Sequence, residues 1–487
     1  MADGGTAVST AAPADAADTK PVRAGVSSAA ASAGATGQAA ALEAPTTNAS
    51  VTPVVAPIVI VGTGTSPASP TGAILVADLA SVPWATLPAG SHVYVRPGTY
   101  GGPVTINATG SAAAPILVDA ADPTRPPVVT NSIDIRGASY FAIRGLRVQS
   151  PTWGGFVIRL GSHDVTVDGN AVLGAPIGIN VTDGAGTGLV ISNNLIEDTA
   201  THGIAIAVNG SASTPNVVSG NIVRRSGHHG MEVRGSHWRV EHNDVSRSGL
   251  ALAGTSGIHI YSAAANENSG DDNIVRYNAS YSNADTGASD GNGIQLDHWC
   301  DRNTVAFNVM WNNDGPGINL FEAASNNVYG NTAAGNSVDP GGTHGALAEL
   351  VVGAVTGINR ASGNHVFDNL LVSIRPNVPA IYVDGRAYST GNTVGPNLAF
   401  NAAGGPPVRW GDARMLSTAV DINSATGTQG NLVELPAFAN PYAGVPAGFK
   451  LVHMPSAKGQ PLSGETDFAG VTAQTGMSYF GAFFATP

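Results

Sequence analysis

A four-residue unit, Val-x-x-Asn with isoleucine as a variant, constrains the fold of this chain more than any other feature. The spacing between successive units is 22 to 38 residues. Short strands and turns at this period predict a parallel β-solenoid, in which each coil buries its apolar side only by stacking on its neighbours. A β-sandwich with similar turns is the alternative, which such regular spacing disfavours. The units end at Asn170, Asn194, Asn221, Asn243, Asn278, Asn308, Asn331, Asn369 and Asn397.

Two properties of asparagine account for its recurrence at one place in each unit. Asparagine tolerates the left-handed backbone conformation, which suits a turn. Its side-chain amide also forms hydrogen bonds to identical amides stacked above and below. We therefore expect the asparagine to occupy a left-handed turn and to form a ladder along the solenoid.

A second unit, a glycine followed by a short alternating strand, lies between the asparagine units. The residues one and three places after the glycine are apolar and should point into the core, whereas those two and four places after it should point outward on one face. The unit reads GIHIY from Gly257 and GIQLD from Gly293. The other copies begin at Gly155, Gly178, Gly203, Gly230 and Gly317.

Two segments carry a family resemblance. The stretch LPAGSHVYVRPGTYGGPVTINATGSAAAPILVDA resembles the opening of the right-handed parallel β-helix proteins of the pectate-lyase-like superfamily, and ETDFAGVTAQTGMSYFGAFFATP resembles their closing segment. The resemblance covers about residues 73–487 and implies an all-β, right-handed parallel β-helix. Members include polysaccharide lyases, hydrolases, uronan epimerases and non-catalytic tail proteins, so the fold alone does not choose an activity.

Two departures from the family narrow the resemblance. The Asp-Pro-His signature of the epimerases is absent, which disfavours that activity. The lysine of the pectate-lyase type is also missing, because Lys20, Lys450 and Lys458 are the only lysines and none lies in the solenoid. Any essential cation there must be arginine or histidine.

The chain divides into three predicted parts. Residues 1–70 are rich in Ala, Thr, Ser, Pro and Gly and are interpreted as a disordered tail or linker. Within them, VVAPIVIVGTGT at 54–65 is a candidate capping strand. Residues 71–405 form the β-helix, and residues 406–487 form an extension that packs on it or caps its last coil.

Composition excludes several classes of function. A net charge of -12 disfavours nucleic-acid binding, and an acidic substrate would need a local basic site. Cys300 is the only cysteine, which excludes an internal disulfide. No segment has the apolar length of a membrane span, and the first ten residues lack the regions of a signal peptide. The expected location is nevertheless extracellular, periplasmic or at the surface of a bacterium, because polysaccharide substrates are found there.

The ionisable outward residues cluster on three consecutive Gly strands. Adjacent strands lie about 4.8 Å apart, so side chains at matching places form rows along the solenoid. The coil below offers only Ala205 and Ala207 on this face. The two predicted rows are Glu232, His259 and Gln295, and beside them Arg234, Tyr261 and Asp297.

These rows suit β-elimination at a uronic acid in an acidic polysaccharide, such as a bacterial exopolysaccharide. A lyase must neutralise the carboxylate, remove the proton at C5 and protonate the leaving oxygen. The guanidinium of Arg234 is suited to the first task. His259 or Tyr261 is the candidate base, and Tyr261 is the candidate acid. The resemblance also implies a histidine on the strand that opens with glycine, which GIHIY matches.

Two other classes of function stay open at this point. An inverting glycoside hydrolase would use Glu232 and Asp297, which lie two strands apart at roughly 9–10 Å. A non-catalytic carbohydrate-binding or surface protein would use the same cleft without turnover. Solvated surface ion pairs would explain each residue pair singly, and only their clustering favours a site.

Further residues near the rows are candidates for binding substrate or ions. Trp299, Trp311, Tyr277 and Phe321 are candidates to stack on sugar rings. Zinc is disfavoured, although His228 and His229 precede the Glu232 strand and His202 takes the matching place one coil below. The predicted substrate-binding residues are Gln295, His298, Asn319, Phe321, Arg276, His229 and Trp299.

Two long polar loops, at 266–273 and 283–293, are predicted to wall the cleft. Their carboxylates offer a calcium site, although ordinary turn chemistry explains the same residues. The sequence requires no cofactor, and calcium is the one candidate. The carboxylates concerned are Asp271, Asp272, Asp285 and Asp290.

Overall fold

The computed structural model describes residues 57–63, 68–287, 290–339, 346–354 and 361–486. Through these residues the chain winds in coils, and successive strands pass in turn to three long sheets. Apart from one antiparallel pair near the C-terminal end, the strand pairs are parallel and in register. The predicted all-β, right-handed parallel β-helix is confirmed.

The three sheets are named here sheet 1, sheet 2 and sheet 3, in the order in which a coil visits them. Sheet 1 contains Ile58–Val61, Ile74–Val76, His92–Val95, Ile116–Ala120, Ser139–Arg144, His163–Asp168, Val190–Ser192, Asn216–Ser219, Trp238–Glu241, Ile274–Arg276, Thr304–Ala306, Asn327–Tyr329, His365–Phe367 and Thr393–Val394. Sheet 2 contains Thr99–Tyr100, Val128–Val129, Arg147–Gln149, Ala171–Leu173, Leu195–Glu197, Ile222–Arg224, Asp244–Ser246, Ala279–Tyr281, Val309–Trp311, Thr332–Ala334, Leu370–Ser373 and Leu398–Asn401. Sheet 3 contains Val104–Ile106, Ile133–Arg136, Gly154–Arg159, Ile177–Val181, Ile204–Ile206, Met231–Val233, Ser256–Ile260, Asn292–Leu296, Ile318–Phe321, Leu350–Gly353, Ile381–Val383, Val408–Trp410 and Arg414–Leu416.

Helices are short in the described part of the chain. The α-helix Ala419–Thr426 begins at the capping hydroxyl of Thr418 and ends at Gly427, whose φ is 72°. It buries Ile422 against the core after the last parallel strand, so it covers the apolar interior at that end. The 3-10 helices are Leu79–Ser81, Trp84–Thr86, Pro441–Ala443 and Pro446–Phe449.

A strand forms within the N-terminal stretch at 54–65, but it does not end sheet 1. The strand Ile58–Val61 falls within the predicted capping strand and pairs with both Ile74–Val76 and His92–Val95. The predicted disordered tail otherwise lies at residues 1–56 and 64–67, outside the described residues.

The asparagine ladder is confirmed, with a correction to its backbone. The amide of Asn243 donates to Asn278 Oδ1 at 2.9 Å, and Asn278 donates to Asn308 Oδ1 at 3.0 Å. The left-handed residue, however, is the one before the asparagine: Tyr277 has a φ of 58°. Asparagine is favoured here because one amide both accepts from one coil and donates to the next.

Two more ladders of buried asparagines run along the other corners of the coils. One leads into sheet 1 and consists of Asn273, Asn303, Asn326, Asn364 and Asn392. The other, between sheet 2 and sheet 3, consists of Asn283, Asn313 and Asn336 and ends at Glu349.

The glycine that opens each Gly strand is required by packing. A Cβ added at Gly203 would lie 2.2 Å from Val223 Cγ1, and one at Gly230 would lie 2.3 Å from Val245 Cγ1. Both distances are shorter than a van der Waals contact. The corner between sheet 2 and sheet 3 therefore has no room for a side chain, and the next residue enters the strand at the same place in each coil.

The last part of the chain packs on the outer face of sheet 2. Phe449 contacts Trp311, with ring centroids 5.4 Å apart, and the Tyr277 hydroxyl donates to the Thr466 carbonyl at 3.0 Å. The parallel strands themselves run on to Val408–Trp410, just beyond the predicted boundary at residue 405. In the described residues, no helix is long and apolar enough to span a membrane.

We expect the Asn278→Ala variant to be strongly destabilised, because it leaves buried partners in two neighbouring coils without hydrogen bonds. Each unsatisfied partner should cost about 1–3 kcal/mol. Urea unfolding measures the change, with Asn312→Ala as the control because Asn312 is exposed. Equal stabilities for the two variants would contradict a structural role for the ladder.

Glu349 makes stability depend on pH. Its carboxylate is fully buried and accepts from Asn336 Nδ2 at 2.7 Å. Burial raises the pKa of Glu349 to about 7, although the hydrogen bonds from Asn336 favour the ionised form. Because the folded-state pKa lies above the unfolded value, the stabilisation is complete below the unfolded pKa and is lost as pH rises towards 7.

We therefore expect Glu349→Gln to remove a loss of about 3 kcal/mol between roughly pH 4.5 and pH 7. Glutamine keeps an acceptor for Asn336 and carries no charge, so the variant should be more stable than the parent at pH 8. Unfolding free energies measured across this range check the difference. The exposed Glu267→Gln change is the control. Parallel pH profiles for the parent and Glu349→Gln would refute the assignment.

Candidate active site

Both predicted rows of outward side chains are present on sheet 3. Glu232 pairs with His259, and His259 pairs with Gln295, in the parallel register. The second row follows from main-chain bonds: Tyr261 N–H donates to Val233 O at 3.1 Å, and Asp297 N–H donates to Ile260 O at 2.9 Å. The alternation of strand residues thus places six polar or charged side chains on the outward face of the sheet, although His259 and Gln295 are buried there.

The rows lie on the outer face of sheet 3, which is covered at one end, and this stretch of the face is named here the groove. Beyond Asn319 in the same row, Val351 is fully buried and Tyr382 is only 4% exposed, because the chain at Ala348 packs over them. On the opposite side the row continues with Ala205, whose side chain is small. The charged residues therefore occupy the open stretch of sheet 3 beside this closed end.

His259 lies between two carboxylates. Its Nε2 is 3.2 Å from Asp297 Oδ2, and its Nδ1 is 3.8 Å from Glu232 Oε2. The side chain is only 8% exposed. Burial disfavours the charged ring, but the contacts with Asp297 and Glu232 outweigh it and raise the pKa of His259 to about 9. The imidazolium therefore links the two carboxylates and faces away from solvent.

Glu232 is surrounded by imidazoles. Its Oε2 lies 3.4 Å from His202 Nε2 and 3.5 Å from His229 Nε2. Burial opposes ionisation, but His202 and His259 hold the pKa of Glu232 well below its usual range. His228 completes the group, with Nδ1 3.1 Å from His202 Nε2. The site residues predicted from the sequence did not include His202 and His228. A signal for His202 was present, because His202 directly precedes Gly203 just as His229 directly precedes Gly230.

Arg234 is the cation of the groove. Its guanidinium carbon lies 5.3 Å from the centre of the Tyr261 ring, within the range of a cation–π contact. In the described residues no carboxylate lies at ion-pair distance from it. Arg302 differs, because it pairs with Asp271 at 2.8 Å. Arg234 is therefore positioned to bind an anion from outside the protein.

Tyr261 joins Arg234 to the buried histidine. Its ring stacks on that of His259, with centroids 5.4 Å apart. Burial and the nearby Asp297 raise the pKa of Tyr261, so the phenol keeps its proton at neutral pH. The hydroxyl makes no hydrogen bond within the part of the chain that the structure describes.

A second imidazole contacts Asp297. His298 Nε2 is 3.5 Å from Asp297 Oδ1, and the His298 side chain is 33% exposed. Its ring meets Phe321 edge-on at 5.1 Å. Asp297 thus contacts one buried and one partly exposed histidine, and of the two only His298 is accessible to solvent to a substantial degree.

Several predicted substrate-binding residues serve the fold. Gln295 is buried and accepts from Ser256 Oγ at 2.7 Å, and Asn319 is 9% exposed. His229 is 2% exposed and lies beneath the groove. Trp299, which follows His298, is partly exposed.

Three predictions are corrected. Arg276 lies on sheet 1 and binds Glu241 at 2.7 Å, so it does not face the groove. Tyr277 and Trp311 are covered by the C-terminal segment and are not available to stack on sugars. Aromatic residues close in sequence to the site are separated from it because each coil turns three corners, and these residues lie beyond a corner that leads away from sheet 3.

The two polar loops flank sheet 3 on opposite sides. The loop at 266–273 leads from sheet 3 to sheet 1, and the loop at 283–293 leads from sheet 2 to sheet 3. The four predicted calcium ligands divide between them. Asp271 and Asp272 both bind Arg302. Asp285 accepts from Gly254 N–H at 2.8 Å, and Asp290 accepts from Asn292 Nδ2 at 2.9 Å. The aspartates thus satisfy local donors, and the structure does not gather all four at one point.

Comparison with known proteins extends these observations. A family model described as right handed beta helix region matches residues 129–235 and 206–394. No curated protein matches the chain significantly in sequence. Among solved structures, pectate lyase Pel9A is 15% identical with a TM-score of 0.51, and the match covers 89% of this chain and 97% of that one. At this identity the similarity supports the fold alone.

Two further structures are similar at lower TM-scores. The A-module of mannuronan C-5 epimerase AlgE4 from Azotobacter vinelandii is 14% identical, with a TM-score of 0.47 and coverage of 71% of this chain and 91% of that one. An alginate lyase from Paenibacillus sp. str. FPU-7 is 20% identical, with a TM-score of 0.41 and coverage of 56% and 94%.

Proposed function

The chain belongs to the right-handed β-helix family, and on this fold we propose that it cleaves an acidic polysaccharide by β-elimination at a uronic-acid unit. One observation carries the proposal. Arg234 has no carboxylate partner among the described residues and contacts the Tyr261 ring, whose hydroxyl is also free of partners there. A cation beside a phenol is suited to bind a sugar carboxylate and to transfer a proton next to it.

The reaction divides among three side chains. Arg234 neutralises the carboxylate, which makes the proton at C5 more acidic. His298 accepts that proton. The electrons of the C5–H bond form the C4–C5 double bond as the C4–O bond breaks, and Tyr261 donates its proton to the leaving oxygen. His298 takes the role of base because it is 33% exposed, whereas His259 is 8% exposed.

His259 and Asp297 act as positioning residues. Asp297 contacts both imidazoles, and the ring of His259 stacks on that of Tyr261. A charged His259 also balances the negative charge of Asp297 and Glu232 within the sheet. Their loss should change the arrangement of Tyr261 and His298 rather than remove a group that contacts the sugar.

The geometry is less suited to an inverting hydrolase. Such an enzyme needs a sugar and a water molecule between two carboxyl groups. Here Glu232 and Asp297 face the two nitrogens of one imidazole, which occupies the space between them. A hydrolase also needs one protonated carboxyl group, whereas the surrounding imidazoles keep Glu232 ionised.

The partner in this proposal is a polysaccharide with uronic-acid units, such as a bacterial exopolysaccharide. The fold neighbour Pel9A is a pectate lyase, which agrees with a polymeric acidic substrate. The groove lies along the side of the solenoid, where a chain of sugars can extend over several coils. We place the protein outside the cytoplasm, where such polymers occur.

We expect Arg234→Ala and Tyr261→Phe each to lower kcat/KM by about 10²–10⁴-fold on the preferred uronan, because each removes a group that acts in the transition state. Ultraviolet absorbance of the C4–C5 double bond and a reducing-sugar assay follow the reaction in parallel. Arg414→Ala and Tyr442→Phe are matched controls, since both residues are exposed on other parts of the surface.

New reducing ends without the absorbance would refute elimination and return the hydrolase to first place. Binding of the polymer without turnover in either assay would identify a carbohydrate-binding protein. Full activity of Arg234→Ala would refute the proposed role of the guanidinium.

The proposed roles of His298 as base and His259 as positioning residue can be distinguished by turnover together with the absorbance of Tyr261. We expect His298→Ala to lose turnover by about 10²–10⁴-fold, as a missing general base does. His259→Ala should also lower turnover strongly. Because the His259 ring stacks on Tyr261, this variant should in addition change the contribution of Tyr261 to the ultraviolet difference spectrum recorded as pH is raised. Glu232→Gln should retain part of the turnover. Activity of His298→Ala equal to that of the parent protein would show that the base lies elsewhere.

A further inference from the structure

We propose that His202, His228 and Glu232 form a binding site for a divalent transition-metal ion of the zinc type, at the end of the groove where the row continues with Ala205. The proposed elimination uses none of these three side chains. Their potential ligand atoms, together with one of His229, lie within 4.8 Å of one another. This inference does not depend on the proposed reaction.

The two ligand-to-ligand distances that involve His202 fit a tetrahedral ion. His202 Nε2 lies 3.1 Å from His228 Nδ1 and 3.4 Å from Glu232 Oε2. Two ligands bound at about 2.0–2.1 Å in tetrahedral geometry are separated by about 3.3–3.4 Å. Imidazole nitrogen and carboxylate oxygen are the ligands of many zinc sites, and two histidines with one glutamate form a known catalytic set.

Hydrogen bonds to the far side of the ring distinguish His228, which can bind the ion, from His229. His228 Nε2 lies 3.2 Å from the Ala253 carbonyl, which can only accept, so Nε2 carries the proton and Nδ1 keeps its lone pair for a metal. The same reasoning excludes His229. Its Nδ1 accepts from Ser256 N–H at 3.0 Å, so its proton lies on Nε2. That N–H faces Glu232 Oε2 and orients the carboxylate.

The site is accessible from the groove. The side chains of His202 and Glu232 are 20% and 19% exposed, whereas His229 is 3% exposed. Three protein ligands with access to solvent leave a coordination position for water or for an oxygen atom of a sugar, as in catalytic zinc sites rather than structural ones. The ion would also offset the negative charge of Glu232.

The test uses the full chain without a histidine tag, stripped of metal by a chelator and then titrated with Co²⁺ and with Zn²⁺. We expect one ion per chain, visible absorption bands typical of tetrahedral Co²⁺, and displacement of Co²⁺ by Zn²⁺. His228→Ala and the isosteric Glu232→Gln should abolish the bands. His229→Ala should weaken affinity by only roughly 10–100-fold, as a residue that supports a ligand does.

His163→Ala is the matched control, since His163 is half-exposed on sheet 1 and should leave binding unchanged. Thermal unfolding of each variant without metal shows whether the fold is retained. Absence of bound Co²⁺, or binding that His228→Ala and Glu232→Gln leave intact, would overturn the proposal. Metal binding without lyase activity would keep the site and refute the elimination, so the two proposals fail separately.

Discussion

The in-register parallel stacking of coils is the constraint on which the rest of the structure depends. A coil alone has an unpaired strand edge on each side and an apolar interior with no cover. Stacking satisfies both needs, and the buried asparagine ladders hold the turns at the same height from coil to coil. The glycine at the entry to sheet 3 sets the position of the next strand, because no side chain fits at that corner. Every outward residue of sheet 3 therefore lies directly above its counterpart in the coil below.

This register converts a one-dimensional pattern into a continuous surface of outward side chains. Residues that are 27 or more positions apart in sequence, such as Glu232 and His259, become neighbours across the sheet. An outward position on a strand can carry a charged residue, because the fold is stabilised by the apolar core and the asparagine ladders and not by the outward side chains. Charges in this region are compensated locally: the imidazolium of His259 connects Asp297 with Glu232. Arg234 is left for an external anion, which is the electrostatic basis of the proposed uronan site.

The C-terminal segment limits the usable surface. It covers sheet 2 around Trp311 and Tyr277, and it thereby removes aromatic side chains that a reader of the sequence would assign to sugar binding. Sheet 3 stays open over the coils that carry the two rows. Because the C-terminal segment covers the outer face of sheet 2 and leaves that of sheet 3 open, of these two sheets only sheet 3 has outward residues available to a polymer.

The sequence by itself determined the solenoid, the alternation of its strands and the two rows on sheet 3, because these follow from local periodicity. It did not determine how deeply each side chain of the site is buried, for example that His259 is enclosed while His298, next to the rows, is partly exposed. It placed His202 and His228 near the Glu232 strand but did not show that His202 contacts the Glu232 carboxylate and His228 contacts His202, nor did it assign Arg276 to another face. Those facts depend on how loops between strands bend and which face the last segment covers. Such long-range contacts leave no periodic trace in the chain, so only the tertiary structure decided them.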